Sequence, residues 1–105
     1  MASNRLETLK NLVQQNPDDT FAHYGLAMEY VNVGDLEHAA TEFRAVIAAN
    51  PNYSYAYFHG GRTLERLGRV EEAREMYQNG VDNARRSGDQ KALSELSAAL
   101  DLLPL

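Results

Sequence analysis

Residues 20–53, TFAHYGLAMEYVNVGDLEHAATEFRAVIAANPNY, and residues 54–87, SYAYFHGGRTLERLGRVEEAREMYQNGVDNARRS, are two copies of one 34-residue pattern. Laid over each other, Phe21 falls on Tyr55, Ala22 on Ala56, Tyr24 on Phe58, Ala27 on Gly61 and Gly34 on Gly68. Leu36 then falls on Val70, Glu37 on Glu71, Ala39 on Ala73 and Phe43 on Tyr77, and upstream Asn16-Pro17 falls on Asn50-Pro51. Size classes are kept and the breaking residues stay in step, which marks a repeat architecture in a chain that is not low-complexity. In such an architecture a unit buries its apolar face only by stacking on a neighbour.

Each copy reads as two helices. His23, Leu26, Ala27 and Tyr30 stand at i, i+3, i+4 and i+7, which is one face of a helix. Gly34 ends that helix, because glycine takes the left-handed backbone past a helix terminus without steric cost. Asp35 follows as a cap for the next helix. Leu36, Ala39, Ala40, Phe43, Val46 and Ile47 line this second helix. It stops at Asn50-Pro51, since proline disfavours helical geometry in the residue before it. The second copy repeats the plan with Tyr57, Gly60, Gly61 and Leu64, then Gly68, then Val70, Ala73, Tyr77, Gly80 and Val81.

Arg85 replaces the counterpart of Pro51, so the last helix of the second copy is expected to run on toward Ser87-Gly88. Gly60-Gly61 weakens a helix by roughly 2 kcal/mol against two alanines. The pair therefore predicts close approach of a neighbouring helix, with Tyr53, Tyr55, Tyr57 and Phe58 filling the space. Leu6, Leu9, Leu12 and Val13 predict an amphipathic N-terminal helix over 3–16, with Asn4 and Glu7 spaced as a capping box. Leu93, Leu96, Leu100 and Leu103 predict a last helix over 89–103, closed by Pro104. No strand pattern competes.

On these residues the chain resembles the tetratricopeptide repeat family. The family pattern has a bulky residue at the fourth position, Leu-Gly/Ala at the seventh and eighth and Tyr at the eleventh. Ala at the twentieth, Phe/Tyr at the twenty-fourth, Ala at the twenty-seventh and Pro at the thirty-second complete it. Over 20–53 these positions hold His23, Leu26-Ala27, Tyr30, Ala39, Phe43, Val46 and Pro51; over 54–87 they hold Tyr57, Gly60-Gly61, Leu64, Ala73, Tyr77, Gly80 and Arg85. The resemblance implies an all-α fold of antiparallel helix pairs stacked as a short right-handed superhelix of about six helices. One domain over 1–105 would then comprise the helix over 3–16, repeats over 20–53 and 54–87, and a capping helix over 89–103 that begins a third unit.

Composition narrows the chemistry. Ten Lys and Arg stand against 15 Asp and Glu, a net charge of −5, which leaves little electrostatic grip on nucleic-acid phosphates. Residues 1–50 carry 3 bases and 7 acids and residues 51–105 carry 7 and 8, so the first half holds most of the acidity. The absence of cysteine excludes disulfides, zinc–cysteine sites and thiol nucleophiles. No apolar run approaches the ~20 residues of a membrane helix. Nor does an apolar stretch follow Met1-Ala2-Ser3-Asn4-Arg5 to serve as a signal peptide, so a reducing, cytoplasmic setting is expected. His23, His38 and His59 show no metal-ligand spacing, and no glycine-rich phosphate loop precedes a lysine. Glu71, Glu72 and Glu75 alternate with Arg69 and Arg74 as solvated helix pairs rather than catalytic carboxylates. No enzymatic activity, metal or cofactor is expected.

What remains is recognition of another protein. In the family the first helix of each repeat lines a concave groove through its second, fifth, ninth and twelfth positions. The resemblance thus assigns Phe21, Tyr24, Met28 and Val31, then Tyr55, Phe58, Arg62 and Glu65, to a groove for a peptide or protein segment. Aromatic and methionine side chains would supply re-packable contacts, and Arg62 a bidentate donor to a carboxylate. The family's clamp for chaperone C-terminal carboxylates uses Lys at the fifth position and Asn at the ninth. Tyr24 and Met28, then Phe58 and Arg62, stand there instead, which predicts against that ligand. On this reading Tyr24, Met28, Phe58 and Arg62 are partly exposed while Leu26, Ala27, Tyr30 and Phe43 are buried, and replacing Tyr24 or Phe58 by alanine loses no core contact and leaves folding nearly intact. Two alternatives stand beside the groove: the N-terminal helix or the neighbouring repeat covers this apolar stripe, or a second copy of the chain does, making a homodimer.

Overall fold

The computed structural model describes residues 4–105, so Ser3 of the expected first helix lies outside the described residues. Among the described residues there are six helices and no strand: α1 (Asn4–Gln15), α2 (Thr20–Asn32), α3 (Leu36–Ala49), α4 (Ser54–Arg66), α5 (Val70–Ser87) and α6 (Gln90–Asp101). Connections of two to four residues turn the chain back on itself at every step. The helices form two rows. The first helices of the repeated units, α2 and α4, continue into α6, with α3 and α5 packed behind them and α1 laid against α2.

Local chemistry places the boundaries. Asp19, Asp35 and Asp89 cap α2, α3 and α6 by accepting hydrogen bonds from the backbone N–H of Ala22, His38 and Ala92. Gly34 and Gly68 sit past α2 and α4 with φ of +83° and +78°, the left-handed geometry that stops a helix. The missing proline has its expected effect, since α5 runs to Ser87 before Gly88 turns the chain. Asn4 lies within α1 rather than ahead of it, whereas a capping box would place it before the first helical turn.

Two apolar clusters, each spanning both repeated units, hold the rows together. Leu6, Leu26, Ala27, Tyr30, Ala39, Phe43, Val46 and Ala56 form one, bringing α1 to α4 into contact. Tyr57, Leu64, Ala73, Met76, Tyr77, Val81, Leu96 and Leu103, with Ala40 of α3, form the other. The glycine pair does permit close approach, but the neighbours differ from those expected. A Cβ on Gly61 would lie 2.2 Å from the Tyr77 ring of α5, and one on Gly60 would crowd Phe43 and Met76. The upstream aromatics do not fill this space. Tyr57 fits instead over Gly80, where a Cβ would stand 2.7 Å from it.

Beyond α6 the chain folds back. Leu103 is buried in the second cluster, and the Pro104 carbonyl accepts a hydrogen bond from Arg74 of α5. On the outer row Arg44 of α3 pairs with Glu72 of α5 at 3.0 Å, and Arg69 pairs with Glu37. The charged residues of that face are therefore largely satisfied by one another.

Candidate functional site

Six of the eight residues assigned to a groove divide between two clefts on the row of α2, α4 and α6. Phe21, Tyr24 and Met28 line the first with Leu9 and Leu12 of α1. Here α1 leans on α2 where Gly25 leaves room, with Leu9 3.3 Å from the position a Cβ would take. Val31 is partly buried against the N-terminal core and lines neither cleft. Phe58, Arg62 and Glu65 line the second cleft, which α4 forms with Glu95, Ala98, Ala99 and Leu102 of α6. Tyr55 lies at the end of α4 that faces Asp89 and Lys91, where the Ser54 hydroxyl donates to the Asp89 carboxylate at 3.0 Å.

Accessibility separates these residues. Phe21 is 75% exposed and Tyr55 53%, both large apolar rings in the same register of successive units. Tyr24 is different. Its ring meets Tyr53 at 5.0 Å, Phe43 edge-on at 6.2 Å and His59 at 6.3 Å. Tyr24 is partly exposed, as expected, but it also meets the buried Phe43, so the expectation that its removal loses no core contact does not hold. Phe58 also reaches inward, packing partly buried against the second cluster.

His59 stands near aromatic residues of both clefts without lining either. Its ring touches Tyr24 on one side and Tyr55 and Phe58 on the other, over Phe43. Burial, and then the Arg62 cation, hold its pKa below the ordinary histidine value. The imidazole is accordingly neutral near physiological pH and acts as one more aromatic surface.

The second cleft combines apolar walls with one exposed cation. The Arg62 guanidinium lies 5.8 Å from the centre of the Phe58 ring, a cation–π arrangement, and makes no ion pair among the described residues. Glu65 is engaged, because it accepts a hydrogen bond from the buried Tyr77 hydroxyl. Burial, together with this carboxylate, pushes the Tyr77 phenol well above the ordinary tyrosine range. Glu65 thus belongs to the wall of the cleft and to the packing of α5 at once.

The wall supplied by α6 was not foreseen from the sequence. Ala92, Glu95, Ala99 and Leu102 stand at i, i+3, i+7 and i+10, a helical stripe with Leu102 85% exposed. That spacing repeats the stripe of Tyr55, Phe58, Arg62 and Glu65, and was available as a signal. It went unread because the larger leucines beside it mark the face packed on α5. Among the described residues no group of three or more His, Asp or Glu side chains converges as a metal site does, and no helix is long and apolar enough to cross a membrane.

Comparison with known proteins places this geometry in context. A family model described as tetratricopeptide repeat matches residues 24–89. A TPR repeat-containing protein of Pseudomonas aeruginosa is 26% identical over 95 residues, covering 90% of each chain. A tetratricopeptide repeat domain protein of Salinibacter ruber, solved by NMR, is 36% identical with a TM-score of 0.75, over 81% of this chain and 86% of that one. The crystal structure of YrrB, described as a TPR protein with an unusual peptide-binding site, is 28% identical with a TM-score of 0.79 and covers 92% of this chain and 47% of that one.

Proposed function

Because the chain belongs to the tetratricopeptide repeat family, we propose that it is a non-enzymatic interaction module that takes a peptide or extended protein segment on the face of α2, α4 and α6. In this reading one domain spans 1–105, with repeats over 20–53 and 54–87 and the helix over 89–103 capping them as an incomplete third unit. The observation that carries the reading is the cleft between α4 and α6. An exposed guanidinium with no ion pair among the described residues stands there over an aromatic ring, in the same cleft as the small and apolar side chains of Ala98, Ala99 and Leu102. Such a cleft suits an aliphatic or aromatic side chain beside a carboxylate, because Arg62 presents a forked donor in a partly dry setting. Tyr55 and Phe21 extend the apolar contact along the row. The peptide-binding description of YrrB supports the same use of the fold. A protein or peptide partner fits this face better than nucleic acid, given the acidic chain around it. The cytoplasm is the compartment we assign.

Peptides selected from a random phage-displayed library against the wild-type chain test the proposal. Tyr55→Ala and Arg62→Glu remove exposed groups, so both variants keep the wild-type melting temperature. If either residue is an interface hot spot, its variant weakens the selected peptides by ~2 kcal/mol or more. Arg62→Glu weakens acidic peptides most, by juxtaposing like charges. Unchanged affinity in both variants, or a library that yields no binder, contradicts the reading. A dimer in light scattering that Tyr55→Ala dissociates assigns the face to self-association instead.

A further inference from the structure

His23 occupies the first turn of α2 and reaches acceptors on two other parts of the molecule. Its Nδ1 lies 2.6 Å from Glu42 Oε1 on α3, and its Nε2 lies 2.7 Å from the Pro17 carbonyl in the loop between α1 and α2. Neutral imidazole has one N–H and one bare nitrogen, so one of these contacts would set two lone pairs against each other. Only the imidazolium donates to both. The His23 and Glu42 side chains are 13% and 20% exposed, so their contact is partly shielded from solvent, whereas the Pro17 carbonyl lies at the exposed edge.

We propose that protonated His23 is a pH-sensitive clasp that ties the α1–α2 loop to α3, and that the loop loosens as pH rises and the ring loses its proton. The charged groups acting on the ring are Glu42 from α3 and Asp19 from the cap of α2, and both are carboxylates. Burial works against the cation, but the hydrogen bonds to Glu42 and Pro17 and the charges of Glu42 and Asp19 outweigh it, leaving the pKa above the ordinary 6.5. The sign follows: the clasp is fully closed below the ordinary histidine value and is lost as pH climbs through the raised one.

Its consequence falls on α1. The loop it holds is the covalent tether of α1, and α1 supplies Leu9 and Leu12 to the cleft beside Phe21 and Met28. With the clasp open, α1 keeps the packing of Leu6, Leu9 and Val13, the Arg5–Glu29 ion pair at 3.7 Å and Lys10 over the Tyr30 ring, but its tether to α2 is no longer pinned. This inference rests on the His23 geometry and stands apart from any reading of the ligand.

Amide hydrogen exchange on the full chain at about pH 6 and about pH 8, spanning the histidine range and corrected for intrinsic rates, tests it. The informative amides are Asn16 and Asp19, which donate to the carbonyls of Leu12 and Asn16, with Leu67 and Ala73 as references. Protection of Asn16 and Asp19 is expected to fall severalfold more than that of the references as pH rises. In His23→Gln it is low at both pH values. The His23 titration followed by NMR lies above 6.5 in the wild type and drops in Glu42→Gln, which keeps the test open should His23→Gln fail to fold. Parallel loss of protection everywhere, pH dependence that survives in His23→Gln, or a wild-type His23 titrating at or below the ordinary value overturns the proposal.

Discussion

Tyr24 and Tyr55 are both assigned to the groove by the family resemblance and differ in the fold. Tyr24 is wedged among Phe43, Tyr53 and His59, whereas Tyr55 is exposed and touches His59 only at 6.4 Å. Burial and the nearby tyrosines push the Tyr24 phenol up from its ordinary value, as expected for a ring drawn into packing. Truncating a half-buried aromatic loses part of the 3–5 kcal/mol that a fully buried one costs, so Tyr24→Ala is expected to destabilise by about 2 kcal/mol. Tyr55→Ala is expected to stay within about 0.5 kcal/mol of the wild type, as exposed sites do. Urea denaturation of both variants measures the difference. Equal stability would remove the distinction between core and ligand surface drawn here. The sequence could not make that distinction, because periodicity identifies a face of a helix and not which neighbour leans on it. The Asp35 cap and the left-handed Gly34 and Gly68 were legible because each depends on local backbone geometry, whereas the caps Asp19 and Asp89 went unread.

At the scale of elements, the stacking of α4 on α5 depends on what is missing from Gly60, Gly61 and Gly80. Alanine is the better helix former by ~1 kcal/mol, so an isolated helix would gain from Gly61→Ala. In the fold that methyl would stand 2.2 Å from the fully buried Tyr77 ring, which is also held by Glu65. Overpacking then prevails, and Gly61→Ala is expected to lower stability by about 1–3 kcal/mol in a thermal or urea melt. A stabilised variant would mean that α4 and α5 pack less closely than described. The helices were legible in the 34-residue phase, and the glycine pair announced a close approach. The identity of the approaching ring was not legible, since it lies in the following helix and depends on how the two cross. The α6 wall escaped for a similar reason: its small residues carry little hydrophobic signal and gain meaning only opposite Phe58 and Arg62.

Across the whole molecule, the two rows divide the work of stability and recognition. The outer row of α3 and α5 satisfies its charges internally through Arg44–Glu72 and Arg69–Glu37. The row of α2, α4 and α6 leaves Phe21, Tyr55 and Leu102 exposed and the Arg62 cation without an ion pair among the described residues. The most direct measurement of the central claim is a ¹⁵N–¹H correlation spectrum of the chain titrated with a peptide selected against it. The account predicts that shifts concentrate on the amides of α4 and α6 around Tyr55, Phe58, Arg62 and Ala99, extend to Phe21 and Tyr24 for a longer peptide, and leave Arg44, Glu72 and Glu75 unmoved. Shifts centred on the outer row of α3 and α5, with the α4–α6 cleft silent, would contradict it.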